Sequence, residues 1–312
     1  MSRAVWAAFE ANDAEAFEAA IKACPNPNAV LVNCQNPLPC QAARLGKNGI
    51  LAAALRADAW GVTAADDQLR TPLHYACLGG DLEAVRAVFE LKPERVHPDM
   101  LMKQRDNVKM TPLHSAVLSG NEELVLFLLD VGQGAAVDME SISGSLPLHL
   151  ACSKGMAAAV EVMCKHERAA GAVGKPAPNG ETLLHSATME GHEEVVKVLV
   201  DSGLSKPNLQ DTDGCTALHI AYAMGLSEIV EVLLPVTDQS IVDLQGRQAI
   251  DWSMDADADL EEPAEHVDST STLDVLPLPS PTKGAIPRLV KVAISISKSG
   301  KVLLSICPLT FI

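Results

Sequence analysis

Thr71-Pro72-Leu73-His74 is the stretch that decides the fold, because the chain repeats it. The same four residues return at Thr111-Pro112-Leu113-His114. Weaker copies are Leu146-Pro147-Leu148-His149, Thr182-Leu183-Leu184-His185 and Thr216-Ala217-Leu218-His219. Successive copies begin 40, 35, 36 and 34 residues apart. Self-similarity at a period of about 20–50 residues is the signature of a repeat array, so each copy is predicted to open one structural unit.

The residues that follow each copy repeat as well. Two positions after each histidine lies an alanine: Ala76, Ala116, Ala151, Ala187 and Ala221. Six positions after each histidine lies a glycine: Gly80, Gly120, Gly155, Gly191 and Gly225. Threonine caps a helix start, and proline at the first helical position presets φ. Glycine ends a short helix in the left-handed conformation. Apolar residues spaced three and four apart come next, such as Leu124, Leu128 and Leu129, and predict a second, amphipathic helix.

These residues closely resemble the ankyrin repeat family, whose hallmark is Thr-Pro-Leu-His-x-Ala at a period near 33 residues. Degenerate copies extend the pattern upstream to Pro37-Leu38-Pro39-Cys40 and to Arg3-Ala4-Val5-Trp6, and a partial copy ends it at Gln248-Ala249-Ile250-Asp251-Trp252. The resemblance covers about residues 3–254. It implies an all-α ankyrin-repeat solenoid of about seven helix-turn-helix units, whose function is to bind another protein.

Two departures from the repeat pattern stand out. A turn glycine precedes the later copies by two residues, at Gly144, Gly180, Gly214 and Gly246. Leu69 and Lys109 replace it before the two strongest copies. The 40-residue interval also holds extra residues near His97-Pro98-Asp99-Met100-Leu101-Met102. We expect a longer loop there that disturbs the stacking locally, because insertions in such arrays map to loops on one face.

The residues that could carry chemistry have structural explanations. In the ankyrin family the histidine of the tetrapeptide bonds to backbone and to the threonine hydroxyl, which the resemblance assigns to His74, His114, His149, His185 and His219. The cysteines contain no CxxC pair and are expected to pack as small apolar residues. Gly171–Lys175 lacks residues that a phosphate loop requires. Asp255–Asp259 lacks residues that a calcium loop requires. We therefore expect no catalytic residue, no cofactor and no metal site, and no enzyme activity.

Charge and composition limit the classes of partner. The net charge is −16 and 48% of the residues are hydrophobic. A nucleic-acid binder normally has a basic face, and no apolar run is long enough to span a membrane. A protein partner with a basic patch is favoured instead, with salt-dependent binding. The absence of an N-terminal signal sequence and the cysteine usage favour a cytoplasmic or nuclear location.

The chain changes character after the repeats. Residues 251–274 hold nine acidic residues and no Lys or Arg, and Leu276-Pro277-Leu278-Pro279-Ser280-Pro281 follows. Alternating apolar residues from Val290 to Ile306 around Ser299-Gly300 predict a β-hairpin. We expect a repeat domain at 1–254, an acidic and then proline-rich linker at 255–288, and a hairpin-like tail at 289–312. Ser280 resembles a phosphorylation site, and the protein is expected to be monomeric unless the tail self-associates.

The resemblance also implies where a partner binds. In ankyrin proteins the concave side is built from the turn tips and the exposed face of each first helix. The corresponding positions predict a partner-binding set of Arg70, Leu78, Met110, Leu118, Lys154, Glu181, Met189 and Met224. On this interpretation the combined Leu118→Glu and Met189→Glu changes abolish binding without altering the thermal melt. Scaffold or adaptor is the favoured function. The alternatives are the targeting region of a larger enzyme, with a catalytic domain starting near Ile286, and self-assembly through the hairpin.

Overall fold

The structure, a computed structural model, describes residues 3–24, 36–57, 59–91, 94, 96–166, 176 and 180–253, and the backbone of 290–296 and 302–308. The chain divides into two compact units, Met1–Leu260 and Glu261–Ile312. The described part of the first unit is helical apart from an isolated bridge between Val242 and Gln248. None of the helices in these ranges is long and apolar enough to cross a lipid bilayer.

Seven antiparallel helix pairs, here called repeats 1 to 7, make up the described part of the first unit. In chain order they are Arg3–Ala11 with Ala14–Lys22, Leu38–Arg44 with Asn48–Ala57, Pro72–Leu78 with Leu82–Glu90, Pro112–Ser119 with Glu122–Val131, Pro147–Ser153 with Ala157–Lys165, Leu183–Met189 with Glu193–Asp201, and Ala217–Ala223 with Ser227–Leu233. Short 3₁₀ helices lie at Ala59–Thr63 and Ala249–Trp252. The latter is the partial copy, called repeat 8.

The core explains the repeated residues. The leucine before each histidine and the alanine two residues after it are buried in all five copies. Each second helix buries one stripe, such as Val85 and Val88 in repeat 3. Fully burying a leucine contributes about 1.5–3 kcal/mol, whereas alanine lets adjacent helices approach closely. First helices contact one another from repeat 2 to repeat 7, and most neighbouring second helices also make contact, so each repeat is stabilised by the next.

The ends of the helices follow the predicted signals. Gly120 ends the first helix of repeat 4 in the left-handed conformation, with φ 81°. The next residue, Asn121, caps the second helix by accepting from the backbone N–H of Leu124 at 3.2 Å. Asp81 does the same for repeat 3, accepting from Ala84 N at 2.9 Å. In repeats 3 and 4 a glycine and a short polar residue therefore turn the chain between the two helices.

The extra residues of the 40-residue interval form a helix, so the prediction of a loop was wrong. Pro98–Met102 is helical, and Leu101 and Met102 are fully buried while Met100 is exposed. Burial of two large apolar side chains holds this turn of helix against the array. The first helices of repeats 3 and 4 still contact each other, so the insertion does not separate the stacked repeats.

The second unit contains two antiparallel strands, Val290–Ile296 and Val302–Pro308. In their register Val292 pairs with Ile306 and Ile294 pairs with Leu304. This is the pairing expected of the alternating apolar residues. Ser299-Gly300, the predicted linker at 255–288 and Ser280 lie outside the described residues.

Candidate protein-binding surface

The tetrapeptide histidines join each first helix to the turn that precedes the next repeat. In four copies a threonine hydroxyl lies within hydrogen-bonding distance of the histidine Nδ1, for Thr71–His74 at 2.9 Å, Thr111–His114 at 2.8 Å, Thr182–His185 at 2.7 Å and Thr216–His219 at 2.9 Å. The threonine N–H also donates to Nδ1, so Nε2 carries the proton. Nε2 donates to a carbonyl of the next turn: Met110 O at 3.2 Å, Ser145 O at 3.1 Å, Cys215 O at 2.9 Å and Arg247 O at 3.3 Å.

Burial favours the neutral form of three of these rings, those of His74, His114 and His185. It lowers the pKa of His114 to about 4, although the hydrogen bond to Ser145 opposes the shift. The pKa values of His74 and His185 are lowered for the same reason. In repeat 5, Leu146 stands in place of threonine, and its N–H donates to His149 Nδ1 at 3.3 Å. The contacts confirm the structural role implied for His74, His114, His185 and His219, whereas His149 has leucine in place of the threonine and of the two contacts shows only that to the backbone.

Buried carboxylates shape the turns, a feature that the sequence pattern did not reveal. Asp106 Oδ1 accepts from the N–H groups of Val108 and Met110 at 3.0 and 2.8 Å. Asp66, Asp211 and Asp243 occupy the same position, five residues before the next copy, and make the same two contacts. A carboxylate that accepts backbone N–H groups fixes a tight turn. The signal was the recurrence of aspartate at that spacing, with Ser141 and Ala177 as the exceptions.

The turns adopt the same left-handed backbone conformation two residues before each copy, although the residue at that position differs. Gly144, Gly214 and Gly246 have φ between 75° and 79°. Leu69 and Lys109 have φ of 61° and 59° at the corresponding positions. Left-handed φ costs a residue with a Cβ roughly 1 kcal/mol. The two departures noted in the sequence are therefore places where the array holds a non-glycine residue in a strained conformation.

Hydrogen bonds connect neighbouring turns along one edge of the array in two groups, one before repeats 3, 4 and 5 and one before repeats 7 and 8. Asn107 N donates to Gln68 O at 2.9 Å, Ile142 N to Val108 O at 2.9 Å, and Leu244 N to Asp213 O at 3.3 Å. We call the edge the turn ridge and number its turns after the repeat that follows. The turn ridge consists of turn 3 (66–70), turn 4 (106–110), turn 5 (141–145), turn 7 (211–215) and turn 8 (243–247), with Gly180 and Glu181 the described residues of turn 6.

The predicted partner-binding residues differ in their accessibility. Leu78 and Met224 are 44% and 49% exposed, and Lys154 is exposed too. The others are half-buried, namely Arg70, Met110, Leu118, Glu181 and Met189. Leu118 packs against the core. A charge at position 118 or 189 would therefore perturb packing as well as any surface, so the Leu118→Glu and Met189→Glu pair does not separate the two effects.

Arg70 makes structural contacts between repeats. Its Nε donates to the buried carboxylate of Asp106 at 3.4 Å, which joins turns 3 and 4. Tyr75 donates its hydroxyl to Asp66 at 2.5 Å. Burial and this carboxylate raise the pKa of Tyr75 to about 12. Part of the proposed surface is thus a rigid polar network rather than free side chains.

The most exposed apolar side chains on the ridge were missed. Leu69, Ile142 and Leu244 are 55%, 67% and 73% exposed. Each lies in a turn whose backbone is held by hydrogen bonds to its own or a neighbouring turn. At these three positions the turn holds the apolar side chain away from the core. Placing these three residues in turns, from the sequence, would have predicted that they are exposed.

The cysteines are suited to packing rather than reaction. Cys40, Cys77, Cys152, Cys164 and Cys215 are buried and Cys24 is half-buried. Burial raises the pKa of Cys164 to about 11 and that of Cys215 to about 12, and it raises the pKa of Cys77 further. The thiolate is the reactive form, so burial disfavours reaction at Cys77, Cys164 and Cys215. Within the described residues, no group of three or more His, Cys, Asp or Glu is placed to hold a metal ion.

Comparison with known proteins agrees with this architecture. A family model described as ankyrin repeats in three copies matches residues 40–140, 92–171, 124–211 and 148–245. The chain belongs to the ankyrin repeat family. The crystal structure of the ankyrin repeat domain of Bcl-3 superimposes with a TM-score of 0.61 at 22% identity, covering 75% of this chain and 98% of that one. The human ASB11 ankyrin repeat domain gives 0.57 at 24% identity, covering 69% and 91%. At these identities the structures show the ankyrin fold alone.

Curated relatives match only part of this ankyrin chain. It is 32% identical to the probable 26S proteasome regulatory subunit p28 of Saccharomyces cerevisiae over 163 residues, which is 50% of this chain and 64% of the yeast protein. It is 34% identical to human NF-kappa-B inhibitor alpha over 102 residues, 32% of each chain. The chain thus spans less than two thirds of the length of either relative.

Proposed function

We propose that this ankyrin chain is a non-catalytic scaffold or adaptor, which binds a partner protein through the exposed ends of its first helices and the adjacent turns. The observation that carries the proposal is the exposure of Leu78 and Met224, large apolar side chains at equivalent ends of the first helices of repeats 3 and 7. Exposed apolar residues with polar surroundings are typical of protein interfaces. Lys154 occupies the equivalent end in repeat 5.

Two further observations support an interaction role. The residue types that would carry nucleophilic or metal chemistry are used for structure, since the histidines hold the turns and the cysteines fill the core. Two relatives are described as a proteasome regulatory subunit and as an inhibitor of NF-kappa-B. Both descriptions concern action on other proteins. Arg70, Met110, Leu118, Glu181 and Met189 complete the proposed surface at its half-buried positions.

The proposed partner carries a basic patch, and the proposed location is the cytoplasm or nucleus. The net charge of −16 favours complementary positive charge on the partner. Binding should weaken as salt rises toward 0.5 M, because exposed charges are screened over distances of about 10 Å or less. We also propose the division into a repeat domain at 1–254, a linker at 255–288 and a tail at 289–312.

Affinity capture from source-cell lysate with the full chain as bait tests the proposal. Leu78→Glu combined with Met224→Glu should abolish retention of a specific protein and leave the thermal melt nearly unchanged, because both side chains are exposed. Val162→Glu is the matched control, since Val162 is an exposed apolar residue on the second helix of repeat 5. Identical sets of retained proteins for wild type and the double variant would contradict the proposed surface.

A further inference from the structure

We propose that the C-terminal end of the array binds an amphipathic helix of a partner protein, in the place that the second helix of repeat 8 would occupy. Among the described residues, repeat 8 is the 3₁₀ helix Ala249–Trp252, and no second helix follows it. This 3₁₀ helix contacts the first helix of repeat 7. The second helix of repeat 7, Ser227–Leu233, therefore has a helix beside it on the side of repeat 6 only.

Burial in the earlier repeats shows which side chains of repeat 7 face the missing helix. The residue eleven positions after the histidine is fully buried in repeats 3 to 6, as Val85, Val125, Val160 and Val196. Val230 has this position in repeat 7 and is only half-buried. Three positions after the histidine, Tyr222 is half-buried too. Its counterparts are fully buried, namely Cys77, Val117, Cys152 and Thr188.

The first repeat shows the direction in which these positions point. Phe17 of repeat 1 has the position of Val230 and is fully buried, and the second helix of repeat 2 lies beside it. One position earlier the order is reversed, since Ala16 is exposed in repeat 1 and Ile229 is buried in repeat 7. Val230 therefore lies on the side that a following repeat covers. Repeat 1 has a small alanine on its free side, whereas repeat 7 keeps a large apolar residue there.

Ile250 of repeat 8 adds to this apolar surface. It occupies the leucine position of the tetrapeptide, and that leucine is buried in all five copies, but Ile250 is 52% exposed. We call Ile250, Tyr222 and the stripe of Leu226, Val230 and Leu234 the open end. The three stripe residues are spaced four apart and so lie on one face of their helix. In a complete repeat a second helix packs beside both groups, so the open end is suited to helix-in-groove recognition.

The sequence after repeat 8 does not supply this helix at the repeat spacing. Counted from Asp251, which has the histidine position, the place of buried Ile229 falls at Glu261. One helical turn later it falls at Glu265, and Pro263 lies between the two glutamates. Burying unpaired carboxylates against apolar side chains is unfavourable, and proline inside a helix removes a hydrogen bond and clashes with the preceding turn. The occupant is therefore a helix of another molecule.

The charge around the open end selects a basic helix. Arg247 is the only Lys or Arg between positions 207 and 274, and it is ion-paired within its own turn. Exposed Glu231 has the position of Arg86, whose guanidinium lies 4.8 Å from the ring centroid of Phe127 in the next repeat. Glu231 is thus placed to reach an occupant of the open end. Lys or Arg beside the apolar stripe of the occupant complements it, whereas a second copy would bring the same acidic end.

Fluorescence anisotropy with the full chain and a labelled synthetic peptide tests the proposal. The probe is an amphipathic helix of about 18 residues, long enough to form in water, with Ile and Leu at the spacing of Ile229 and Leu233 and Lys at the flanking positions. It should bind with a micromolar dissociation constant, and more weakly as salt rises. Replacing each Lys of the peptide by Glu should weaken binding at least about tenfold. A peptide of the same composition without the apolar stripe should not bind.

Variants of the chain locate the binding. Ile250→Glu should raise the dissociation constant at least about tenfold, because it puts an unpaired charge into the contact. The thermal melt should be nearly unchanged, because Ile250 is more than half exposed. Val162→Glu makes the same change at an exposed apolar residue of repeat 5 and should leave binding unchanged. Glu231→Lys should weaken binding of the lysine peptide and strengthen that of the glutamate peptide, and Glu123→Lys, at an exposed position of repeat 4, is its matched control.

A lysine peptide that does not bind overturns the proposal, and so does binding that Ile250→Glu and Glu231→Lys both leave intact. Equal affinity for the lysine and glutamate peptides overturns the choice of a basic helix. Self-association of the full chain that Ile250→Glu abolishes, measured by sedimentation equilibrium, would assign the open end to a second copy instead. Leu78→Glu in repeat 3 should leave peptide binding unchanged, so failure of the adaptor proposal and failure of this one are distinguishable.

Discussion

Turns 3 and 4 and turns 5, 7 and 8 have the same backbone but are built differently. Leu69 and Lys109 occupy the left-handed position in the first group, whereas the second group has glycine there. Turn 5 also lacks the buried carboxylate, since Ser141 bonds only to the hydroxyl of Ser143 among its described side-chain contacts. The comparison shows that neither glycine nor aspartate is required for the conformation by itself.

The neighbours of each turn account for this tolerance. His74 donates to the carbonyl of Met110 in turn 4, and His114 donates to that of Ser145 in turn 5. Hydrogen bonds between adjacent turns add to this restraint. A turn in the array is therefore held from the preceding repeat as well as by its own residues, and the residue at the left-handed position is free to vary at a modest cost in stability.

The largest expected effect comes from removing the carboxylate of turn 4. Asp106→Ala leaves the N–H groups of Val108 and Met110 and the guanidinium of Arg70 without their acceptor. The free energy of unfolding should fall by about 2–4 kcal/mol, because two backbone N–H groups lose their acceptor together with a partly exposed ion pair. Urea unfolding measures it. Ser141→Ala is the matched change in turn 5 and should cost less than about 1 kcal/mol; equal losses would contradict the comparison.

An intermediate loss of folding stability is expected on acidification. The pKa of His114 is about 4 in the folded chain and about 6.5 when unfolded. The unfolded state therefore binds more protons between these values, and stability falls as the pH drops through this window. His114 alone should contribute a loss of about 2 kcal/mol between pH 7.5 and 5.0, and His74 and His185 act in the same direction.

Urea midpoints at the two pH values check this prediction. His114→Gln should be less stable than wild type at pH 7.5 and should show a smaller loss on acidification, because the group that takes up the proton is gone. A variant with the full wild-type pH dependence would show that the link between repeats 4 and 5 does not depend on a neutral His114.

The smallest expected effect is an increase in the free energy of unfolding. Leu69→Gly should raise the free energy of unfolding by about 0.5–1 kcal/mol, since relief of left-handed strain outweighs the extra freedom of glycine in the unfolded chain. Gly246→Ala in turn 8 is the converse change and should lose about 1 kcal/mol, because φ is 79° and no atom lies within 4 Å of an added Cβ. Differential scanning calorimetry measures both. A loss in Leu69→Gly would mean that the leucine side chain stabilises the isolated chain.

Local patterns were enough to predict the helix pairs. The tetrapeptide, the alanine and the glycine fix where each first helix begins, what it buries and where it ends, all within ten residues. The His114 contact also followed from the family resemblance. The helix at Pro98–Met102 was missed because five residues carry no helical period, and its existence depends on burial of Leu101 and Met102 against other repeats.

The amino-acid sequence by itself determined the family, the paired-helix architecture and the structural use of the histidines, because these depend on contacts within one repeat or between one repeat and the next. Only the tertiary structure decided which surface residues are free. Leu118 and Met189 are half-buried by stacking, Arg70 is paired with a carboxylate 36 residues away, and Leu69 is held out in solvent by a strained turn. Exposure depends on the neighbouring repeats, and a one-dimensional pattern does not contain their placement.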